Sequence, residues 1–229
     1  MSFQKFKAID IAIFTLITVL MEFVSHYATA NVGEYGLVFI SFTVVLSLIC
    51  IYRWGLIGSV CALAGGITFC LANAGEEIEL VDCVAYIVGY VSIIIPALIF
   101  QYKLGRAKLV SKKYLLILYL LMDFITVFIF RSLTYGFFHI DQFGRYFLEA
   151  LRESFIQESM SLVISMIVLL IASRKDGQIF VEMRNYVLEV HDKAKLGHLK
   201  EYKESPNFNQ DSPFTEENQI DESFLLDGG

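Results

Sequence analysis

The feature that most constrains this chain is a succession of apolar runs, at Ala8 to Ala28, Gly36 to Tyr52, Leu56 to Ala74, Val81 to Gln101, Tyr114 to Thr134 and Ser154 to Ser173. Each is near the roughly 20 residues that span a hydrocarbon core, and too little sequence separates them to fold as soluble domains. With 56% of its 229 residues hydrophobic, the chain belongs to the integral membrane class. The expected fold is an all-α membrane protein: a six-transmembrane-helix bundle over residues 1–175, a cytoplasmic amphipathic helix over 176–204, and a disordered acidic tail over 205–229. The first run reads as a retained helix rather than a cleaved signal, because it is long, contains Asp10 and Glu22, and is not followed by a small-residue cleavage site.

Basic residues set the expected orientation. Lys5 and Lys7, Arg53, the cluster Lys103, Arg106, Lys108, Lys112 and Lys113, and then Arg174 and Lys175 all fall on one side of a six-span arrangement. The bias of Lys and Arg toward the cytoplasm makes that side the inner one. Both termini are then cytoplasmic, and the expected location is the bacterial plasma membrane, as a multi-pass protein. The four cysteines (Cys50, Cys61, Cys70 and Cys83) lie in or beside apolar runs without metal-ligand spacing, and no glycine-rich phosphate loop occurs. The sequence gives no reason to expect a cofactor, a metal or an enzymatic activity.

Within Arg53 to Asn73 the small residues Gly55, Gly58, Ser59, Ala62, Gly65 and Gly66 recur at helical spacing. In lipid there is little hydrophobic drive between helices, so such faces matter because they let backbones approach closely. The pattern fits packing inside one protein or a face kept for a partner. Ala8 and Ala12, four apart on the first helix, form a second small face, with Asp10 between them near the inner boundary.

Ionisable residues inside spans are costly unless they face a cavity or a partner. Glu22 and His26 share a face near the outer end of the first helix, and Asp82, Tyr86, Gly89 and Tyr90 follow one face of the fourth. Pro96 is expected to kink that helix. Asp123 lies near the middle of the fifth helix, and Arg131 is eight residues further, about 12 Å along the axis at about 1.5 Å per residue. Arg131 is therefore expected to meet a carboxylate from the sixth helix or a bound ligand. Tyr135 to Arg152, with His139, reads as a long aromatic outer segment able to lie on the membrane. The sixth helix enters with Glu153, Gln157 and Glu158. Glu22, His26, Asp82, Tyr86, Arg131, His139, Glu153 and Gln157 thus form the expected substrate site, polar groups from four helices at one depth.

Beyond Arg174, Ile179, Met183, Tyr186, Val187 and Val190 mark an amphipathic helix. From Ser205 onward there are two prolines, six acidic residues and no Lys or Arg, so the formal charge of −6 resides in this tail and 18 carboxylates balance 18 basic residues before it. The net charge therefore says nothing about what the membrane part binds. Neither charge nor motif points to nucleic acid.

Six helices with both ends inside, Ala8-x-x-x-Ala12, the Arg53-Trp54-Gly55 turn into a Gly/Ala-rich third helix, and polar outer loops together resemble the S components of energy-coupling factor (ECF) transporters. The resemblance covers about residues 6–175. It implies a non-catalytic subunit that captures a small water-soluble vitamin or related micronutrient from outside. It also implies partners, namely a transmembrane T component and two ATPase subunits, with membrane lipid around them. In that reading Ala8, Ala12, Gly58, Ala62, Gly65 and Gly66 contact the T component, and substrate sits at the outer ends of helices four to six. Two rivals stand beside it: a membrane scaffold of an envelope or cell-shape complex recruiting a cytoplasmic partner through the acidic tail, and an intramembrane hydrolase using Glu76 and Glu77 with His26 or His139.

Overall fold

The computed structural model describes residues 3–30, 40–72, 79–104, 109 and 112–173. The chain divides into Ala8–Glu182 and a second unit of Met1–Lys7 with Met183–Gly229. Of the second unit only residues 3–7 are described, as helix. The expected amphipathic helix, the acidic tail, Glu76 and Glu77 lie outside the described residues.

All regular structure among the described residues is helical: α1 (Phe3–Ala30), α2 (Thr43–Trp54), α3 (Val60–Ala72), α4 (Leu80–Val91), α5 (Lys113–Phe138) and α6 (Phe143–Ala172). Five runs are long and apolar enough to cross a membrane, at Gln4–Tyr27, Thr43–Ala72, Leu80–Gln101, Lys113–Phe138 and Ile140–Ala172. Six were expected, and the second of the five takes in both the second and the third expected spans.

That run doubles back on itself. Gly55 ends α2 at φ 73°, in the left-handed region that glycine enters without a Cβ penalty. A short 3₁₀ turn, Gly55–Ser59, leads into α3. A Cβ on Gly58 would lie within 2.5 Å of the Cys50–Ile51 backbone, and one on Gly65 would collide with the Thr43 side chain. Gly58 against residue 50 and Gly65 against residue 43 is the register of an antiparallel pair closed at Trp54–Gly55. A Cβ on Gly66 would come 2.9 Å from Cα of Ile87, so the small face of α3 seats α2 on one side and α4 on the other. α2 is buried along almost its whole length and forms the centre of the fold.

Proline punctuates α4 as expected, one turn earlier than its own position. Pro96 has no N–H to bond the carbonyl of Ser92. The helix breaks at Ser92–Ile93, where the Ser92 carbonyl accepts from Ile95 N at 2.9 Å instead. A short α turn (Ile94–Ala97) and a π turn (Leu98–Leu104) complete the crossing.

The long outer segment expected between the fifth and sixth helices is absent. α5 runs to Phe138 and α6 starts at Phe143, so His139–Gln142 alone join them. Aromatic packing fills this corner: Phe137 lies edge-on to Phe143 at 5.6 Å, and His139 stacks on Tyr146 at 3.9 Å. The core under it contains Leu48, Ile51, Tyr90, Ile93, Tyr119, Phe124, Val127 and Leu169. α1 turns Ile9, Ile13, Leu16, Ile17, Leu20 and Val24 outward, an apolar face suited to lipid.

Candidate functional site

The site is built around Arg131. Its helix carries it into the interior at 1% exposure, where the guanidinium carbon lies 3.7 Å over the Tyr86 ring and 5.5 Å from that of Tyr90. The other face of Tyr86 is stacked on Phe69 at 3.6 Å, so Phe69, Tyr86 and Arg131 form a three-layer sandwich from α3, α4 and α5. Gly89 lies along this approach, where a Cβ would sit 3.3 Å from the Val127 carbonyl and 3.5 Å from Cβ of Arg131, a contact that α5 would accommodate by a shift of a few tenths of an ångström.

Glu158 of α6 closes the sandwich edge-on. Its Oε1 is 2.6 Å from Arg131 Nη1, with both side chains out of solvent. Among the described residues, Nε and Nη2 of Arg131 and Oε2 of Glu158 have no hydrogen-bond partner.

A second carboxylate stands beside it. Glu22 of α1 is 1% exposed, and its Oε2 accepts from Ser41 Oγ at 3.0 Å and Thr43 Oγ1 at 2.9 Å, at the entrance to α2. Tyr90 donates to Ser41 Oγ at 3.1 Å, and Ser41 N donates to Ser161 Oγ at 2.8 Å, one turn beyond Glu158. Glu22 Oε1 has no partner among the described residues. Nearer the helix ends, Tyr86 OH bonds Gln157 Oε1 at 3.3 Å. Asp82 accepts from Tyr135 OH and, at 3.1 Å, from the Glu79 N–H that precedes α4.

Four expected site residues, Glu22, Tyr86, Arg131 and Gln157, thus join one network, and Asp82 borders it through Tyr135. His26 is half-buried one turn from Glu22 and meets Tyr27 edge-on at 5.4 Å. His139 sits at the α5–α6 corner, its Nδ1 3.1 Å from the Tyr135 carbonyl. Glu153 is exposed on the outer face of α6. The residues absent from the expected site are Glu158, Tyr90, Ser41, Thr43 and Ser161. The buried register Ser154, Glu158, Ser161 and Ser165 carries the signal for Glu158, because small polar residues at three- and four-residue steps mark the face on which it lies.

The expected partner face divides in two. Gly58, Ala62, Gly65 and Gly66 are buried inside the protein and offer no surface to another chain, because α2 and α4 already occupy that face. Ala8 and Ala12 are exposed. Between them Asp10 turns inward: its Oδ2 takes Trp54 Nε1 at 2.5 Å and Arg53 Nε at 3.0 Å, pinning α1 to the α2–α3 turn. The four cysteines are free, and no group of three His, Cys, Asp or Glu suited to a metal occurs among the described residues.

Comparison with protein families, with characterised proteins and with solved structures returns no match. The chemistry of the site therefore carries the functional reading. A guanidinium and two carboxylates with polar atoms unpaired among the described residues, beside the Tyr86 and Tyr90 rings, can orient a small polar molecule through several directed bonds.

Proposed function

We propose that this protein is the substrate-binding S component of an ECF-type transporter, which captures a small water-soluble vitamin or related micronutrient at the outer face of the plasma membrane. In this reading the Thr43–Ala72 hairpin supplies two of six spans, both termini are cytoplasmic, and the chain has no catalytic activity of its own. A T component and two ATPase subunits drive delivery, and Ala8 and Ala12 belong to the surface that meets the T component. The observation that supports it best is the Arg131 guanidinium: fully buried, stacked on Tyr86, paired with Glu158, and yet with Nε and Nη2 unpaired among the described residues. Buried donors are nearly always satisfied in folded proteins, and each exception calls for a cause such as a functional role or a bound water or ion.

The test is to purify the protein from membranes, identify co-purifying small molecules by mass spectrometry, and measure the thermal shift each produces. A ligand at 100 times its Kd stabilises by about 2.7 kcal/mol. One micronutrient that stabilises the wild type and fails to stabilise Arg131→Ala supports the reading. Undiminished affinity in Arg131→Ala rejects this site. The scaffold alternative needs no such pocket, and its recruiting tail lies outside the described residues.

A further inference from the structure

The packing of α3 on α4 sets two thiols side by side. A Cβ on Gly66 would come 2.9 Å from Cα of Ile87, so the two backbones are nearly in contact there, and Phe69 stacks on Tyr86 at 3.6 Å. Rising residue numbers on α3 meet falling ones on α4, which makes the pair antiparallel. Cys70 lies one turn beyond Gly66 at i+4, and Cys83 one turn before Ile87 at i−4, each on the same helical face as its neighbour. The close approach at Gly66 therefore brings Cys70 opposite Cys83, and a side-chain hydrogen bond joins the two thiols. Cys50 and Cys61 form a second such pair between α2 and α3. Those two are 0% exposed beneath the Trp54–Gly55 turn, with Thr15 Oγ1 3.5 Å from Cys61 Sγ.

Position separates the two pairs. Cys70 is in the last turn of α3 and Cys83 in the first turn of α4, both half-buried, beside the exposed Glu79 and the half-buried Asp82. Carboxylates are costly in hydrocarbon, so they mark this end of the helix pair as its water boundary. We propose that Cys70 and Cys83 are an oxidisable dithiol, which closes to a disulfide and staples α3 to α4 beside the Phe69–Tyr86 stack on which Arg131 rests. The pairing stands on the packing alone; its outward placement, where oxidising conditions preserve disulfides, rests on the substrate-binding reading. The step is thiol–disulfide exchange with a small-molecule or protein disulfide. One cysteine thiolate attacks the oxidant and displaces a thiol, and the second attacks the mixed disulfide and displaces the other. Cys70 and Cys83 together give up two electrons and two protons, and the oxidant leaves as two thiols. The new bond restricts the unfolded chain, so the oxidised protein is the more thermostable form. Cys50 and Cys61 remain thiols, since burial keeps the oxidant from them.

Oxidised glutathione tests this on the purified full-length protein. After incubation the protein is denatured, its thiols are alkylated with a maleimide, and the intact mass is measured. The expected result is that the wild type loses two of its four thiols without gaining glutathione, and that dithiothreitol restores both and lowers the unfolding midpoint. Cys70→Ser and Cys83→Ser, each checked for folding by size-exclusion chromatography, should form no internal disulfide, and dithiothreitol should leave their midpoints unchanged. Four thiols retained by the wild type, glutathione adducts in place of the internal bond, or an internal disulfide that still forms in either serine variant overturns the proposal. The placement is tested separately on membrane vesicles, because oxidised glutathione is too polar to cross a bilayer. Closure of the pair in right-side-out vesicles supports the outward placement. Closure in inside-out vesicles alone leaves the dithiol standing and rejects the orientation on which the substrate-binding reading depends.

Discussion

Arg131 on α5 and Glu158 on α6 approach to 2.6 Å with side chains 2% and 0% exposed, and the guanidinium is stacked on Tyr86 of α4 at 3.7 Å. Three helices are thereby tied at one point from which water is excluded. Removing one partner of a buried pair leaves the other charge uncompensated, at a cost of about 3–5 kcal/mol, whereas replacing both by apolar residues of similar volume is often neutral. Glu158→Leu alone should therefore lower the midpoint of thermal unfolding, and adding Arg131→Met should restore most of the loss. A double variant as unstable as the sum of the two singles would mean that the two charges do not act as a pair.

How much of this was legible in the sequence depends on what else a residue could be doing. Glu22 and Arg131 stand out because an ionisable group in an apolar run has few inexpensive places to go. Ser41 and Thr43 do not stand out, since serine and threonine in apolar helices commonly bond their own backbone, as Thr15, Thr18 and Thr68 do here. Glu158 is masked by its neighbours Glu153 and Gln157, and its burial follows from the register it shares with Ser154 and Ser161. The Tyr135–Arg152 stretch reads as a loop from its density of charges, yet its aromatic residues at helical spacing build the α5–α6 corner. The turn at Arg53-Trp54-Gly55 is legible, but which helices fill the glycine face requires the register of Gly58 on Cys50 and Gly66 on Ile87.

The glycine face makes a graded prediction. A Cβ on Gly58 meets α2 backbone, which cannot give way as a flexible side chain can, whereas one on Gly144 meets nothing within 4 Å. Gly58→Ala should lower the unfolding temperature. Gly144→Ala, in the first turn of α6, should leave it unchanged or raise stability by up to about 1 kcal/mol, through the lower backbone entropy lost on folding. Equal effects from the two substitutions would show that the α2–α3 approach is looser than 2.5 Å implies.

Trp54 is the only tryptophan in the chain, and its indole donates to Asp10 at 2.5 Å. Its fluorescence thus reports directly on the attachment of α1 to the α2–α3 turn. Asp10→Ala removes an acceptor shared by Trp54 and Arg53 and should shift the emission maximum and lower stability by about 1–3 kcal/mol, the usual range for hydrogen bonds to a charged group. An unchanged emission spectrum would place Trp54 outside this contact.

The two exposed alanines of α1 separate folding from assembly. Ala8 and Ala12 face away from the protein, so Ala8→Trp and Ala12→Trp should fold and bind ligand as the wild type does. If that face meets a T component, both variants should lose its capture in a pull-down and lose uptake in cells. Retention of the T component by both would assign the contact to another face.

Asp123 makes the opposite kind of prediction from Arg131. It is 0% exposed on α5, and neither carboxylate oxygen has a hydrogen-bond partner among the described residues. Eight residues separate it from Arg131, about 12 Å along the helix, so the guanidinium does not reach it. An unsatisfied buried polar group costs about 1–3 kcal/mol, and Asp123→Leu, which keeps the volume and removes the polar atoms, should raise the unfolding temperature. The same variant assayed for uptake then decides what the residue is for. A protein that is more stable but inactive would show that the carboxylate is retained for function, at the expense of stability. A variant that is less stable would mean that Asp123 satisfies its oxygens through a bound water or ion, and would make it part of the structural core.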